Sequence, residues 1–419
     1  MDMPGIDAQA PKAAAAEQID EDCLAAIDFE LTYQNGDVRH RERRHAPAVN
    51  MWRDVFPPGL DSALMGKRVG DRVVLRYAPR ELAGERQASL VQTISARDFD
   101  GELNPANPCR PVSGRYLPQG TLYRARLAGV YRDSRRPYRV IEAGPAALKV
   151  DLNHPFAGYS AEIVATVRSI TRKLSDGGGR CQDWPQQLTD GAGMQFRAAG
   201  RATDFLVDDW ARRIAEGADA EFYSVPRLVA HLDQHACETV REIHSELLPV
   251  GGAVLDLMSS VFSHLPGDRV FSRVVGLGMN AQELEANAAL SERVVHDLNA
   301  DPRLPFEDAA FDAVVCASSV EYLTRPFEVF GDVARVLKPG GVLAVTWSTR
   351  WFPPKVTKLW RDAHPYERLG IVLEYFQRSG TFTALESLAV SGYPRPDDDP
   401  HAHETDLSDP VFAVWGRRA

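Results

Sequence analysis

The chain has 419 residues, enough for two or three domains, and its 44% hydrophobic and 25% charged residues describe an ordinary globular protein. Acidic residues outnumber Lys and Arg by 58 to 48, a net charge of −10, which argues against nucleic acid as a principal partner because phosphate neutralisation needs a basic surface. Cys23, Cys109, Cys181, Cys237 and Cys316 are scattered without a CxxC pair, so neither a disulfide framework nor a metal site is indicated, and a reducing compartment suits them.

The N-terminal stretch MDMPGIDAQAPKAAAAEQIDED lacks a basic region followed by an apolar core, so it is not read as a secretory signal. No run is apolar enough to span a bilayer. A cytoplasmic protein without a membrane partner is expected, with residues 1–24 as a disordered tail of small and acidic composition. From about 25 to 170 the pattern is strand-rich: FELTY, DRVVLRYA, TLYRARLAGVY, PYRVIEA, ALKVDL and AEIVATVRSI are short alternating or β-branched runs separated by turns such as Asn35–Asp37. One helix, GLDSALMGK, follows Pro57-Pro58. The run RHRERRH (Arg39–His45) is a candidate basic patch, and a solvated strand or turn is the simpler reading.

The segments FPPGLDSALMGKRVGDRV and VDLNHPFAGYSAEIVATV, the second carrying Asn153, His154, Pro155 and Gly158, resemble FKBP-type prolyl isomerase domains of the SlyD-like kind. The resemblance implies a mainly-β FKBP-like domain over 25–170, with about 81–119 as the flap or its insertion. In the family a backbone N–H before the PGL-like segment donates to the substrate. Pro57 stands there, and proline has no N–H. Tyr33, Phe56 and Leu60 are candidates to line an apolar groove, with core packing as the alternative. A module that binds a polypeptide client is expected rather than a working isomerase.

Residues 171–190, with DGGGRCQDWPQQLTDGAG running just beyond, read as a linker rich in glycine and polar residues. DFLVDDWARRIAEG and VPRLVAHLDQHACETVREIHSELL then show helical periodicity with acidic starts.

From Val254 to Ser348 short apolar runs (AVLDL, RVVGLGMN, VVHDLN, FDAVVCA, GGVLAVTWS) alternate with helix-compatible stretches, the pattern of a parallel sheet with crossover helices. Polar residues follow the carboxyl ends of the runs, where open α/β sheets bind ligands. A helix is expected near Pro354–Gly380, strands near Leu385–Ser391 and Val411–Gly416, and between them the charged loop YPRPDDDPHAHETD is expected to be solvated.

Order, spacing and the run LPFEDAAFDAVVCA resemble the class I S-adenosylmethionine-dependent methyltransferases, of the type 11-like kind. The resemblance implies a Rossmann-like seven-stranded α/β domain over 249–419, with residues 191–248 as its helical lid, and S-adenosylmethionine as cofactor. By position, Asp256 would meet the cofactor's amino group. Met258, Ser259 and Ser260 stand in a turn where the family has glycines. Gly276 permits close approach. Gly278 occupies the place of the usual ribose acid, which leaves Asn280 as the ribose candidate. Asp297 and Leu298 would serve adenine, and Ser318 would lie near the sulfonium. On the acceptor side the candidates are Glu321, Tyr322, Tyr223 and His231, followed by Trp347, Arg350, Arg227 and Asp233.

The expected activity is methyl transfer to a small soluble nucleophile. The signature LDLMSS…SHLP…GLGMN…HDLN…VEYL…WFPPK…EYF is similar to a branch associated with soft nucleophiles, which suggests a small thiol or sulfide and S-methylation. Two alternatives stay open: a chaperone-like FKBP-type binding protein with a degenerate methyltransferase scaffold, and a methyltransferase acting on a protein that the FKBP-like domain presents. A dehydrogenase is disfavoured because G-x-G-x-x-G is missing from the first turn. Oligomeric state is not legible.

Overall fold

The computed structural model describes residues 14–103, 108–175, 179–191, 203–207, 209–363 and 367–419. The first hairpin joins β1 (Cys23–Asn35) to β2 (Val38–Asn50) through the two-residue loop Gly36–Asp37. Gly36 sits at φ 59°, a left-handed angle that glycine takes at no steric cost. In β1 every second residue from Cys23 to Tyr33 is buried, so its alternation delivers one apolar face. α1 (Leu60–Leu64) packs on that face through Leu60 and Leu64, and β3 (Arg72–Tyr77) follows.

β4 (Val91–Ser95), β5 (Tyr116–Pro118), β6 (Pro137–Ala143) and β7 (Ala147–Asp151) form a separate antiparallel sheet, ordered β4-β7-β6-β5, over Leu122, Tyr138, Val140 and Val150. The expected strand TLYRARLAGVY is instead a 3₁₀ turn over Gln119–Ala125, ended by Arg126 at φ 53°. The insertion therefore reaches well past residue 119. β8 (Ala161–Arg172) then returns between β1 and β3.

Two expectations on flanking segments are corrected. Within the expected tail, residues 1–13 lie outside the described residues, but Ile19 is buried and its N–H donates to the Lys67 carbonyl. Within the expected linker, α2 (Trp184–Thr189) is capped by Asp183 and buries Trp184 and Leu188 in the core beneath β1, with Trp184 5.5 Å from Phe29. Two apolar anchors four residues apart outweigh the polar composition around them. Tyr33 and Leu60 lie in the same core, with Phe56 half-buried against it, so the expected groove is packed.

The helical periodicity before the first parallel strand is only partly realised. Residues 192–202 and 208 lie outside the described residues, and 209–218 are not helical. α3 (Asp219–Phe222) is a single turn. α4 (Gln234–Leu247), capped by Asp233, packs under the sheet against β-strand residues Val254, Val342 and Val390 and is no lid. The lid is the largely irregular stretch 219–232.

β9 (Ala253–Leu257), β10 (Arg273–Gly278), α5 (Ala281–Ala286), β11 (Glu292–Val295), β12 (Phe311–Ala317), α6 (Pro326–Val336), β13 (Leu337–Trp347), α7 (Lys358–Asp362), α8 (Glu367–Ser379), β14 (Phe382–Ser391) and β15 (Val411–Arg418) complete the chain. β11, β10, β9, β12 and β13 are parallel, and β15 is antiparallel to both β13 and β14. The strand order reverses between β9 and β12, and such a switch point opens a crevice at the carboxyl ends of the strands. α6 and α8 cover one face, with Phe330 5.1 Å from Phe376. Among the described residues no helix is long and apolar enough to cross a membrane.

The two halves share one sheet. Glu386–Ser391 of β14 pairs in parallel with Arg39–Arg44 of β2, giving eleven strands in the order β11-β10-β9-β12-β13-β15-β14-β2-β1-β8-β3. This corrects the reading of Arg39–His45 as solvated. His40 and Glu42 are buried, Arg39 meets Glu386, Arg41 meets Glu246, and Arg43 meets Glu30 and Glu246. The loop 393–406 is likewise not all solvated, since buried Arg395 reaches Asp233, Asp399 and Asp409.

Candidate active site

β9 ends at Asp256 and Leu257, and the chain turns through Met258 at φ 58°. The Ser259 N–H donates to the Leu277 carbonyl at 2.7 Å, and its hydroxyl donates to Asp256 Oδ2 at 2.5 Å. The turn has no glycine of its own because the room is made on the neighbouring strand. A Cβ at Gly278 would overlap the Ser259 carbonyl, and one at Gly276 would overlap Leu290. The glycines expected in the first turn have thus been replaced by glycines on β10. Met258, His264 and Ser318 all hold positive φ on the wall of one cavity, and backbone strain of this kind concentrates at functional sites.

That cavity lies past the carboxyl ends of β9, β10, β11 and β12, where open α/β sheets bind their ligands. Asp256, Met258, Ser259, Ser260, Asn280, Asp297, Leu298 and Ser318 line it. Gly276 does not; it sits one step back, against Leu290. Burial pushes the Asp256 carboxyl up to about 6, while hydroxyls of Ser259 and Ser263 pull the other way. A buried carboxylate held only by hydroxyl groups gains from a cation, and the cofactor's ammonium supplies one. Asp297 lines the cavity and uses Oδ1 to accept from the N–H groups of Asn299 and Ala300, 2.9 and 3.1 Å away.

Asn280 is placed otherwise than the sequence suggests. Its Oδ1 caps α5 by accepting from Gln282 and Glu283, and its Nδ2 donates to the Tyr223 and Ser224 carbonyls at 2.9 and 3.2 Å. Both ends of the amide are committed, so the residue ties the lid to the start of α5. Glu283 does the same, accepting from the Arg227 N–H at 2.7 Å and from the Ser260 hydroxyl at 2.6 Å.

Of the acceptor-side candidates, Tyr223, Tyr322 and His231 reach the wall, together with Arg227. Glu321 does not. It is 1% exposed and lies off the wall, its Oε2 without a hydrogen-bond partner and its carboxyl pushed up to about 8 by burial, which Arg368 only partly opposes. Its carbonyl accepts from the Thr357 N–H, so the residue is bound into the core at the end of the sheet. Trp347 packs on Trp360, Arg350 pairs with Asp409, and Asp233 caps α4; none lines the cavity.

Several wall residues were not singled out in the sequence. Phe352 stacks on Tyr322 at 5.9 Å, and its N–H donates to the Tyr322 hydroxyl at 2.8 Å. Asp219 anchors the lid by pairing with Arg213 and with buried Lys355, and it accepts from Asn299, which also donates to the Tyr322 carbonyl. The WFPPK block carried the only hint, two aromatic residues and a lysine in a loop just past the carboxyl end of β13.

Parts of the chain are similar to known proteins. Residues 258–345 match the family described as methyltransferase domain, from the turn after β9 into β13. The N-terminal part is 25% identical over 167 residues to the FKBP-type peptidyl-prolyl cis-trans isomerase SlyD of Aeromonas hydrophila, covering 38% of this chain and 71% of that one. A malonyl-[acyl-carrier protein] O-methyltransferase of a Marinomonas species is 30% identical over 83 residues, 18% of this chain and 31% of that one. Among solved structures, an S-adenosylmethionine-dependent methyltransferase of Mesorhizobium loti aligns over 42% of this chain and 96% of its own, with 18% identity and a TM-score of 0.29. The chain thus joins an N-terminal region similar to the SlyD-like FKBP type to a C-terminal region that matches the methyltransferase domain family.

Proposed function

We propose that the enzyme methylates a small soluble thiol or sulfide. One observation carries this reading: among the described residues the acceptor-side candidates on the cavity wall include a single base, the His231 imidazole, a weak one suited to an acceptor that ionises readily. Burial pushes the phenols of Tyr223 and Tyr322 above their ordinary range, so both stay protonated. Burial lowers the pKa of His231, which leaves a neutral imidazole. Glu321 lies off the wall and is protonated near neutrality. The carboxylates that line the cavity are Asp256 and Asp297 at the strand ends, Glu283, which accepts from the Arg227 N–H and the Ser260 hydroxyl, and Asp219, paired with Arg213 and Lys355.

An acceptor that ionises by itself fits such a site. A thiol with a pKa of about 8.5 supplies thiolate near neutral pH, and neutral His231 is able to take its proton. The thiolate lone pair forms the new S–CH₃ bond as the sulfonium C–S bond breaks, and that electron pair returns to the cofactor's sulfur. The residues of the chain contribute position and exclusion of water: Phe352 and Tyr322 form an apolar wall, and the 219–232 lid closes over the turn. The mouth is apolar, with Val229 59% and Phe262 52% exposed, which suits an organic thiol as well as sulfide.

Headspace analysis after incubation with S-adenosylmethionine and sulfide, methanethiol or larger thiols tests the reading. Methylated sulfur product is expected, and its absence with every thiol while S-adenosylhomocysteine still binds sinks the acceptor assignment.

A further inference from the structure

Arg227 is the one permanent cation on the cavity wall, and among the described residues no carboxylate lies within ion-pair distance of it. Its guanidinium sits 4.7 Å from the Phe222 ring centre, 4.9 Å from Phe352 and 6.0 Å from Tyr223. Among the described residues the hydrogen bonds of the head group run to the Val225 and Phe222 carbonyls, at 3.3 and 3.5 Å, both long. Most other arginines near the site are neutralised: Arg213 by Asp219, Arg350 and Arg395 by Asp409. A half-buried guanidinium between aromatic faces, beside the place where a second cation is delivered, leaves positive charge without a direct ion pair on that side, the Glu283 carboxylate being bonded to the Arg227 backbone N–H instead.

We propose that Arg227 seats an anionic group of the methyl acceptor, so that the preferred substrates are small thiols carrying a carboxylate. The inference rests on the thiol reading above and narrows it. The planar fork of the guanidinium matches a carboxylate bidentately, and the aromatic walls fix its plane. The two sides of the cavity divide the charge. Asp256 and Asp297, at the ends of β9 and β11, face the cofactor's ammonium and adenine. Arg227, over Phe352 and Phe222, faces the acceptor. An acceptor anion bound there also screens the sulfonium from the guanidinium, an interaction unavailable to a neutral thiol.

The carboxylate could belong instead to the cofactor's own amino acid, and the test separates the two sources. Wild type, Arg227→Met and Arg227→Lys, each with S-adenosylhomocysteine bound, are titrated calorimetrically with mercaptoacetate and with 2-mercaptoethanol, and turnover of both thiols is measured. Arg227→Met should weaken mercaptoacetate binding and raise its KM roughly 10- to 100-fold, the loss of a charge-assisted pair, while 2-mercaptoethanol is unaffected and Arg227→Lys recovers part of the loss. Equal losses for both thiols, or none for mercaptoacetate, overturn the proposal. So does weakened binding of S-adenosylhomocysteine in Arg227→Met with binding of 5′-methylthioadenosine, which lacks the amino acid, unchanged. If wild type binds mercaptoacetate through Arg227 but methylates neither thiol, the seat stands and the thiol reading falls.

Discussion

Asn280 Nδ2 donates to the Tyr223 carbonyl at 2.9 Å, so the residue that caps α5 also holds the lid. The cap and the tie use opposite ends of one amide and can be separated chemically. Asn280→Asp keeps the oxygen that caps α5 and loses the donor to the lid. Asn280→Ala loses both, and the missing cap alone costs about 1 kcal/mol. We therefore expect Asn280→Asp to fold with nearly wild-type thermal stability yet show faster proteolysis within 219–232 and weaker binding of S-adenosylhomocysteine. Wild-type protection of that segment in Asn280→Asp would show that the lid does not depend on this tie.

The inserted sheet is fastened to the methyltransferase domain by a buried pair. Arg115 donates to both oxygens of Glu367 on α8, at 2.5 and 2.6 Å, and the Tyr116 N–H adds a third bond at 3.3 Å. Removing one member takes from the other the opposite charge that faces it in the interior. Arg115→Met or Glu367→Gln should each lower stability by about 3–5 kcal/mol, the usual cost of breaking a buried pair. The double variant Arg115→Met/Glu367→Leu should recover part of that loss, because no charge is left uncompensated. Urea unfolding of the three variants checks the order. A double variant no more stable than the worse single one would point to the Tyr116 contact as the dominant fastening.

Much of this architecture is legible in the residues, and the failures have identifiable causes. The alternation of β1 and the apolar runs of β9, β10, β12 and β13 are strong periodic signals, and LPF-x-D before FD-x-V marks the fourth parallel strand. The joining of β2 to β14 is not legible, because RHRERRH carries the composition of a surface strand, and its arginines meet Glu30, Glu246 and Glu386 only once the chain has folded. The tie from Asn280 to the lid and the position of Glu321 off the wall are not legible for a common reason. Position past a strand end places a residue near the crevice, but the direction of its side chain depends on neighbours such as Tyr223 and Arg368 that periodicity does not reveal. The relocated glycines are the subtler case: Met258-Ser259-Ser260 looks like a damaged motif until Gly276 and Gly278 are seen to provide its clearance.

Glu321 separates a structural from a catalytic carboxyl. Burial raises its pKa to about 8 in the folded protein, from an ordinary carboxylate value in the unfolded chain. Between those values the folded state holds a proton that the unfolded state has released, so the contribution of this group to stability falls as pH rises and is fully lost above about 8. Glutamine copies the neutral acid. Glu321→Gln should therefore retain methyl transfer at pH 7 and lose less stability than wild type between pH 7 and 9. Thermal melts across that range, paired with turnover at pH 7, decide it, and loss of turnover in a stably folded Glu321→Gln would restore Glu321 as a catalytic group.

Asp256 gives the complementary pH dependence, read in binding rather than in folding. Burial raises its carboxyl to about 6, and the hydroxyls of Ser259 and Ser263 offset this only in part. Its folded pKa exceeds the unfolded one, so protonation favours the folded protein and ionisation disfavours it as pH rises toward 6. An ammonium ligand reverses the preference, because it binds the ionised form and lowers the pKa in the complex. Affinity for S-adenosylhomocysteine should be constant above about pH 7 and fall by up to tenfold per pH unit below about 6, with one proton released on binding in that window. Asp256→Asn should bind more weakly at pH 7.5 and show a flat profile, since the amide neither ionises nor attracts the ammonium. Calorimetric titrations at pH 5, 6 and 7.5 in buffers of different ionisation enthalpy measure both affinity and proton release. A flat wild-type profile would mean that the cofactor's ammonium is held by some group other than Asp256.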